Sequence, residues 1–174
     1  MLSTLRLRTG IPARLLAAIS LVWVAAPADA ATQTASVTAK VVKPLVLTKV
    51  QDLDLGTVTL GTGVWSNAKV SITRAGVFTC GSANLVCTGA PMVATYNVQG
   101  SKQQPVQISV PNVTLINQND PSQTLTLVTD APASITLANS GFPGSNFSIG
   151  GSITLGSTTV AGTYVGTFNV TVDY

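Results

Sequence analysis

The sequence predicts an all-β fold, a two-layered antiparallel sandwich behind a removable leader. Three observations carry this. The chain is rich in Thr, Val, Ser, Gly and Asn and has few charges, 9% in all, which is the composition of strands and turns. Turn signals recur throughout: Gly56, Gly61-Thr62-Gly63, Gly76, Gly89-Ala90-Pro91, Gly100, Asn119-Asp120-Pro121, Asp130-Ala131-Pro132, Gly141-Phe142-Pro143-Gly144, Gly150-Gly151 and Gly156. The runs between them are short and β-rich, and beyond the leader no segment has a helical period. Many short strands at this spacing predict an immunoglobulin-like sandwich.

Residues 1–30 read as a secretory signal peptide. Arg6, Arg8 and Arg14 precede the apolar run LLAAISLVWVAA at 15–26, and Ala28-Asp29-Ala30 is a small-x-small cleavage site. The run is short for a membrane span. The expected mature chain, residues 31–174, is one domain with a sizeable core, exported, with no membrane span after cleavage. Its address is the periplasm, cell surface or exterior. Most of the net positive charge leaves with the leader, so that six positive and five negative groups remain. Lys40, Lys43, Lys49, Lys69, Arg74 and Lys102 are scattered, which excludes a concentrated nucleic-acid footprint.

Strands are predicted near 34–42, 45–50, 53–60, 67–74, 92–99, 104–110, 112–117, 122–129, 134–138, 147–155 and 162–173. In the first, Ala35, Val37, Ala39 and Val41 alternate with Ser36, Thr38, Lys40 and Val42, and Pro44, which cannot donate to a ladder, closes the run. It reads either as the domain's own first strand or as a strand donated elsewhere. Cys80 and Cys87 in TCGSANLVC are expected to form a local, hairpin-like disulfide, which export permits. In the last stretch, AGTYVGTFNVTVDY, Tyr164, Phe168, Val170, Val172 and Tyr174 fall on one face with Gly166, while Thr163, Thr167, Asn169, Thr171 and Asp173 fall on the other.

The chemistry of enzymes is poorly represented. There is no His and no Glu, so the commonest general bases, Ser-His-Asp triads and His-containing zinc sites are missing. No catalytic residue, cofactor or metal is expected. Asp52 and Asp54 read as solvated edge residues, with Asp54 placed to bond amides of the Leu-Asp-Leu-Gly turn. Asn117, Asn119 and Asp120 supply the oxygens of a conceivable calcium loop, but read as turn chemistry. Three Asn-x-Ser/Thr sequons, at Asn112, Asn146 and Asn169, are chance matches in so Asn- and Thr-rich a chain. Trp65 is a lone aromatic in TGVWSN and reads as a packing residue.

Three stretches together, KPLVLTKVQDLDLGTVTLGTG at 43–63, the central Thr/Val hairpins and AGTYVGTFNVTVDY at the end, resemble the domain-of-unknown-function family DUF4402. These are exported bacterial β-sandwich proteins with pilin-like and spore-coat-U-like character. The ending is also similar to chaperone–usher pilus subunits, with a glycine near the start of an alternating last strand (Gly162) and a tyrosine near its end (Tyr174). It departs from them in stopping on that tyrosine and in the close spacing of its cysteines. The resemblance implies a fimbrial or surface-assembly subunit that polymerises by β-strand exchange. Gly162, Tyr164, Gly166, Phe168, Val170, Val172 and Tyr174 would line the acceptor, and Ala35, Val37, Ala39 and Val41 would be the donor. The implied partners are other copies of itself, related subunits or a periplasmic chaperone. The competing expectation is a self-complete monomeric envelope domain with a separate binding role.

Overall fold

The computed structural model describes residues 31–174; the expected signal peptide lies outside the described residues. Thirteen strands and no helix are found among them: β1 (Val46–Gln51), β2 (Thr57–Leu60), β3 (Ala68–Ile72), β4 (Phe78–Cys80), β5 (Leu85–Thr88), β6 (Ala94–Gln99), β7 (Pro105–Ser109), β8 (Val113–Asn117), β9 (Thr124–Asp130), β10 (Ser134–Thr136), β11 (Ser145–Leu155), β12 (Tyr164–Val165) and β13 (Thr171–Asp173). Every strand pairing is antiparallel.

Strand β11 organises the fold. Its first half, Ser145–Ile149, pairs with β6, which pairs in turn with β1. Its second half pairs with β3 on one side, and Gly150–Ser152 pair with β9 on the other. One eight-stranded sheet results, in the order β1-β6-β11-β9-β8-β12 with β3 and β4 attached. Gly150 and Gly151 stand at the change of partners. A side chain on Gly150 would collide with the backbone of Ile72 to Arg74, so only glycine lets β3 approach there.

Two smaller sheets, β10-β7-β13 and β2-β5, cover this one. The inward residues form two apolar clusters. Ala94, Val98, Val106, Ile108, Leu137, Phe147 and Ile149 fill the half under β10-β7-β13. Ala68, Val70, Leu85, Leu127, Ile153 and Leu155 fill the half under β2-β5. Leu53 and Phe168 touch both clusters and mark the seam.

Three sequence expectations are corrected. No strand forms over 34–42; residues 31–45 lie outside any strand, and Val37 and Val41 are 94% and 91% exposed. Alternation supplies a face, but a strand also needs a partner edge, and among the described residues the first pairing starts at Val46. Nor is 162–173 one strand. Tyr164 and Val165 pair with β8, residues 166–170 are irregular, and Thr171–Asp173 pair with β7. The segment follows β7 and β8 across the corner at Val110–Asn112 and so changes sheets, keeping its two-residue alternation throughout.

The third correction concerns the disulfide. Cys80 and Cys87 are bonded, with Cα atoms 6.1 Å apart, but not within a hairpin. Cys80 ends β4, which pairs with β3 in the large sheet, and Cys87 sits in β5, which pairs with β2 in the covering layer. Gly81 carries the chain on beside β3, its N–H donating to the Lys69 carbonyl (2.8 Å). A turn at Ser82–Leu85 then swings it across, with Asn84 N–H on the Ser82 hydroxyl (3.1 Å) and Leu85 N–H on the Ser82 carbonyl (3.1 Å). The bridge therefore ties one layer to the other. Neither β4 nor β5 was expected from the sequence.

Candidate functional site

The covering layer is interrupted. Between β2 and the segment 159–168 an open groove of about 1130 Å³ exposes the inner side of the large sheet. Its floor is Leu115, Leu125, Leu127, Ile153 and Leu155; one wall is Leu53–Leu60 and the other Thr159–Phe168. Leu53, Leu55, Val58, Leu60, Leu115 and Leu125 are only half-buried, although all pack on a core cluster. Half-buried leucines lined up between two strands retain apolar surface that another strand can cover, each side chain gaining up to about 1.5–3 kcal/mol on full burial.

The walls have free edges. Among the described residues β2 pairs only with β5, and β12 only with β8. The walls also run in opposite directions. Leu53 on one and Phe168 on the other both pack at the seam between the two clusters. At the far end Trp65 joins the two walls: its indole N–H donates to the Gly61 carbonyl (3.2 Å), and its backbone carbonyl accepts from Ser157 N–H (3.0 Å). Trp65 is thus a packing residue that ties the two walls together just beyond the groove. A strand laid between such walls runs parallel to one and antiparallel to the other, offering a row of N–H and C=O groups to each.

Local chemistry holds each wall. In the first, the Asp54 carboxylate accepts from Gly56 N–H (2.8 Å), and Asp54 and Met92 exchange backbone hydrogen bonds (both 2.8 Å). Gly56 has φ +74°, and a Cβ there would lie 2.6 Å from the Thr88 carbonyl oxygen, so the Leu-Asp-Leu-Gly turn requires glycine. Asp52 points to Lys49 instead, forming an exposed ion pair at 2.8 Å. The hydrogen bond and charge of Asp52 raise the Lys49 pKa above its ordinary value. Tyr96, at the same mouth of the groove, stacks on Phe147 with centroids 5.8 Å apart, and burial raises its pKa.

The second wall is pinned by Asn117, the one polar residue among the fully buried side chains of the described residues. Its amide donates to the Ala161 carbonyl (3.2 Å), and its oxygen accepts from Asn119 N–H (2.9 Å) and Asp120 N–H (3.4 Å). Gly162 lies flat against this amide, where a Cβ would collide with it. Two turns of sequence further on, a Cβ on Gly166 would sit 2.8 Å from the Thr114 carbonyl oxygen and from Leu115 Cδ2. Both glycines therefore serve close approach of this wall to β8 within the chain. Of the oxygens weighed for calcium, Asn117 Oδ1 and Asp120 Oδ1 are engaged in these turns, the latter accepting from the N–H (3.1 Å) and hydroxyl (2.6 Å) of Ser122. The sequence singles out Asn117 only as one oxygen of a conceivable calcium loop, read as turn chemistry.

Of the residues expected at an acceptor, Gly162, Tyr164, Gly166 and Phe168 line the groove. Val170 and Val172 instead pack on the cluster under β10-β7-β13. Tyr174 does something else. Its hydroxyl donates to the Lys43 carbonyl (2.6 Å) and accepts from Ser101 N–H (2.8 Å), while Lys43 N–H donates to the Ser101 hydroxyl (2.6 Å). A side chain on Gly100 would collide with that hydroxyl. The final tyrosine thus fastens the chain just before β1. Ala35, Val37, Ala39 and Val41 are all exposed and in no strand.

A family model described as "Domain of unknown function (DUF4402)" matches residues 45–174. The chain belongs to that family. No curated protein and no solved structure matches it. The matched span contains both walls and the floor of the groove, and begins after the exposed stretch 31–44, so the DUF4402 domain here is the grooved body without the stretch that precedes it.

Proposed function

We propose that this DUF4402 protein is an exported structural subunit of a surface assembly, fimbrial in kind, with no catalytic role. Subunits join by inserting an extended strand into the groove between β2 and residues 159–168. The observation that carries this reading is the leucine-floored groove with a free strand edge on each side. Main-chain hydrogen bonds to such edges supply affinity, and side chains on alternate positions fill the floor. The occupant is residues 35–41 of another copy. Val37 and Val41 are large apolar side chains left almost fully exposed, and they alternate with polar residues at the period a strand needs. A chaperone strand would use the same edges before assembly.

The test is a denaturing gel of the exported protein with and without boiling. The expected result is a ladder of oligomers that boiling collapses, and that is lost when residues 31–42 are deleted. A monomer band in both lanes would favour the competing reading, a self-complete envelope domain that binds something else.

A further inference from the structure

The large sheet has a second face, turned away from the core and from the groove. Side chains alternate across a strand. Ala68, Val70, Leu127, Ile153 and Leu155 face inward, so Lys69, Ser71, Val128, Ser152 and Thr154 face outward. On that outer face a cleft of about 250 Å³ opens, lined by Lys69, Ser71, Thr73, Val128, Asp130 and Ser152. Ser152 stands opposite Ser71 on one side and Val128 on the other, and Ser71 stands opposite Thr79. Two serines between taller neighbours thus make a hydroxyl-bearing floor.

The two ends of the cleft differ. At one, the chain after β3 crosses over the bare Gly150, where a Cβ would meet the backbone of Thr73 and Arg74. Arg74 N–H donates to the Asp130 carboxylate (2.8 Å), and its guanidinium donates to the Ala131 carbonyl (2.8 Å). The Thr73 hydroxyl accepts from Val77 N–H (3.2 Å), which leaves its own O–H to donate. Asp130 keeps further lone pairs, since an ionised carboxylate has about four acceptor sites. The other end is Lys69, which stands opposite Thr154 on β11. From the level of Gly150 to that of Thr154 the cleft runs about 13 Å. Lys49 and Arg74 are in ion pairs; Lys69 is exposed and in none among the described residues.

This chemistry selects an occupant. A lone anion would use Lys69 and leave the hydroxyl floor empty. An apolar ligand would find only Val128, which is 48% exposed. A chain of sugar rings uses all of it. Its hydroxyls pair with Ser71, Ser152, Thr73 and Asp130, and a C–H face rests on Val128. A carboxylate at its far end makes a charge-assisted hydrogen bond with Lys69, well away from Asp130.

We infer that this cleft binds a short acidic saccharide, a uronate-bearing chain, with its carboxylate at Lys69 and its hydroxyls along Ser71, Ser152 and Asp130. The inference does not rest on strand insertion. Cleft and groove lie on opposite faces of the same strands, so an assembly would leave the cleft open and repeat it once per copy, with the avidity that repetition brings.

The test is isothermal titration of the exported protein with trigalacturonate and with its neutral counterpart, galactotriose. Trigalacturonate should bind saturably, one per chain, and sulfate at matched ionic strength should not displace it. Galactotriose should bind at least about tenfold more weakly, because it lacks the hydrogen bond to a charged group. Lys69→Ala, a change at an exposed side chain that keeps the fold, should weaken trigalacturonate by a similar factor. Ser152→Val, which a strand tolerates, should abolish binding by filling the floor. Lys102→Ala, an exposed cation outside the cleft, should change nothing. No saturable binding overturns the inference, as does displacement by sulfate or equal binding of galactotriose. Equal losses from Lys102→Ala and Lys69→Ala also overturn it, because the attraction is then to charge in general.

Discussion

The two halves of the sandwich share β11 and the C-terminal segment, yet one is closed and the other open. Under β10-β7-β13, Val98, Val106, Leu137 and Ile149 are fully buried, and the end of the half is tied down by the Tyr174 hydroxyl. Under β2-β5, only two short strands cover the sheet, and the leucines at 53, 55, 60, 115 and 125 stay half-buried. The open half also holds the disulfide, fastening the small β2-β5 sheet to β4. The difference teaches that the closed half holds the start of β1 fast, while the open half, with a buried core of its own, leaves two strand edges accessible.

Substitutions should separate the halves. Phe147→Ala in the closed half removes a ring that is 5% exposed and stacked on Tyr96, and should cost about 3–5 kcal/mol in urea unfolding. The paired substitution Cys80→Ala/Cys87→Ala releases a short loop and should cost roughly 2–3 kcal/mol. It should also raise hydrogen exchange in β2 and β5 while leaving β6 and β7 protected. Tyr174→Phe keeps the ring and deletes two hydrogen bonds, at about 1–2 kcal/mol. The Ser101 amide should lose its exchange protection, and unchanged protection there would contradict that fastening.

The smallest effect expected is one of pH. Hydrogen bonds from the Ser122 hydroxyl and N–H lower the Asp120 pKa. A lowered folded-state pKa means that this turn stabilises the fold above the ordinary carboxylate range and loses its contribution as pH falls through the depressed value. The Asp120 carboxylate makes these bonds in an exposed turn, so the effect should show in an NMR titration of its carboxyl carbon and hardly at all in the unfolding midpoint. A Ser122→Ala variant should move the titration back towards the ordinary value.

Much of the body was legible in the sequence. Val/Thr runs between turn residues located most strands, and the Leu-Asp-Leu-Gly turn was readable because an aspartate two residues before a glycine can bond its amide. What was illegible depended on partners distant in the chain. The break in 162–173 was hidden because the alternation persists while the segment passes from β8 to β7. The alternation of Ala35 to Val41 looked like a strand, although no edge among the described residues pairs with it. The link of Tyr174 to Lys43 spans 131 residues, and a tyrosine's hydroxyl partner leaves no periodic trace. The groove is a property of which strands cover which, and no local pattern records it.

The most direct measurement is binding of a synthetic peptide of residues 33–43 to protein lacking residues 31–42, followed by its thermal shift. Residues 40–174 form a compact unit, so the acceptor should survive the deletion. Insertion predicts saturable stabilisation, about 2.7 kcal/mol at a hundredfold excess over Kd, abolished by Leu125→Lys in the groove floor. No stabilisation, or equal stabilisation of the Leu125→Lys protein, would contradict the account.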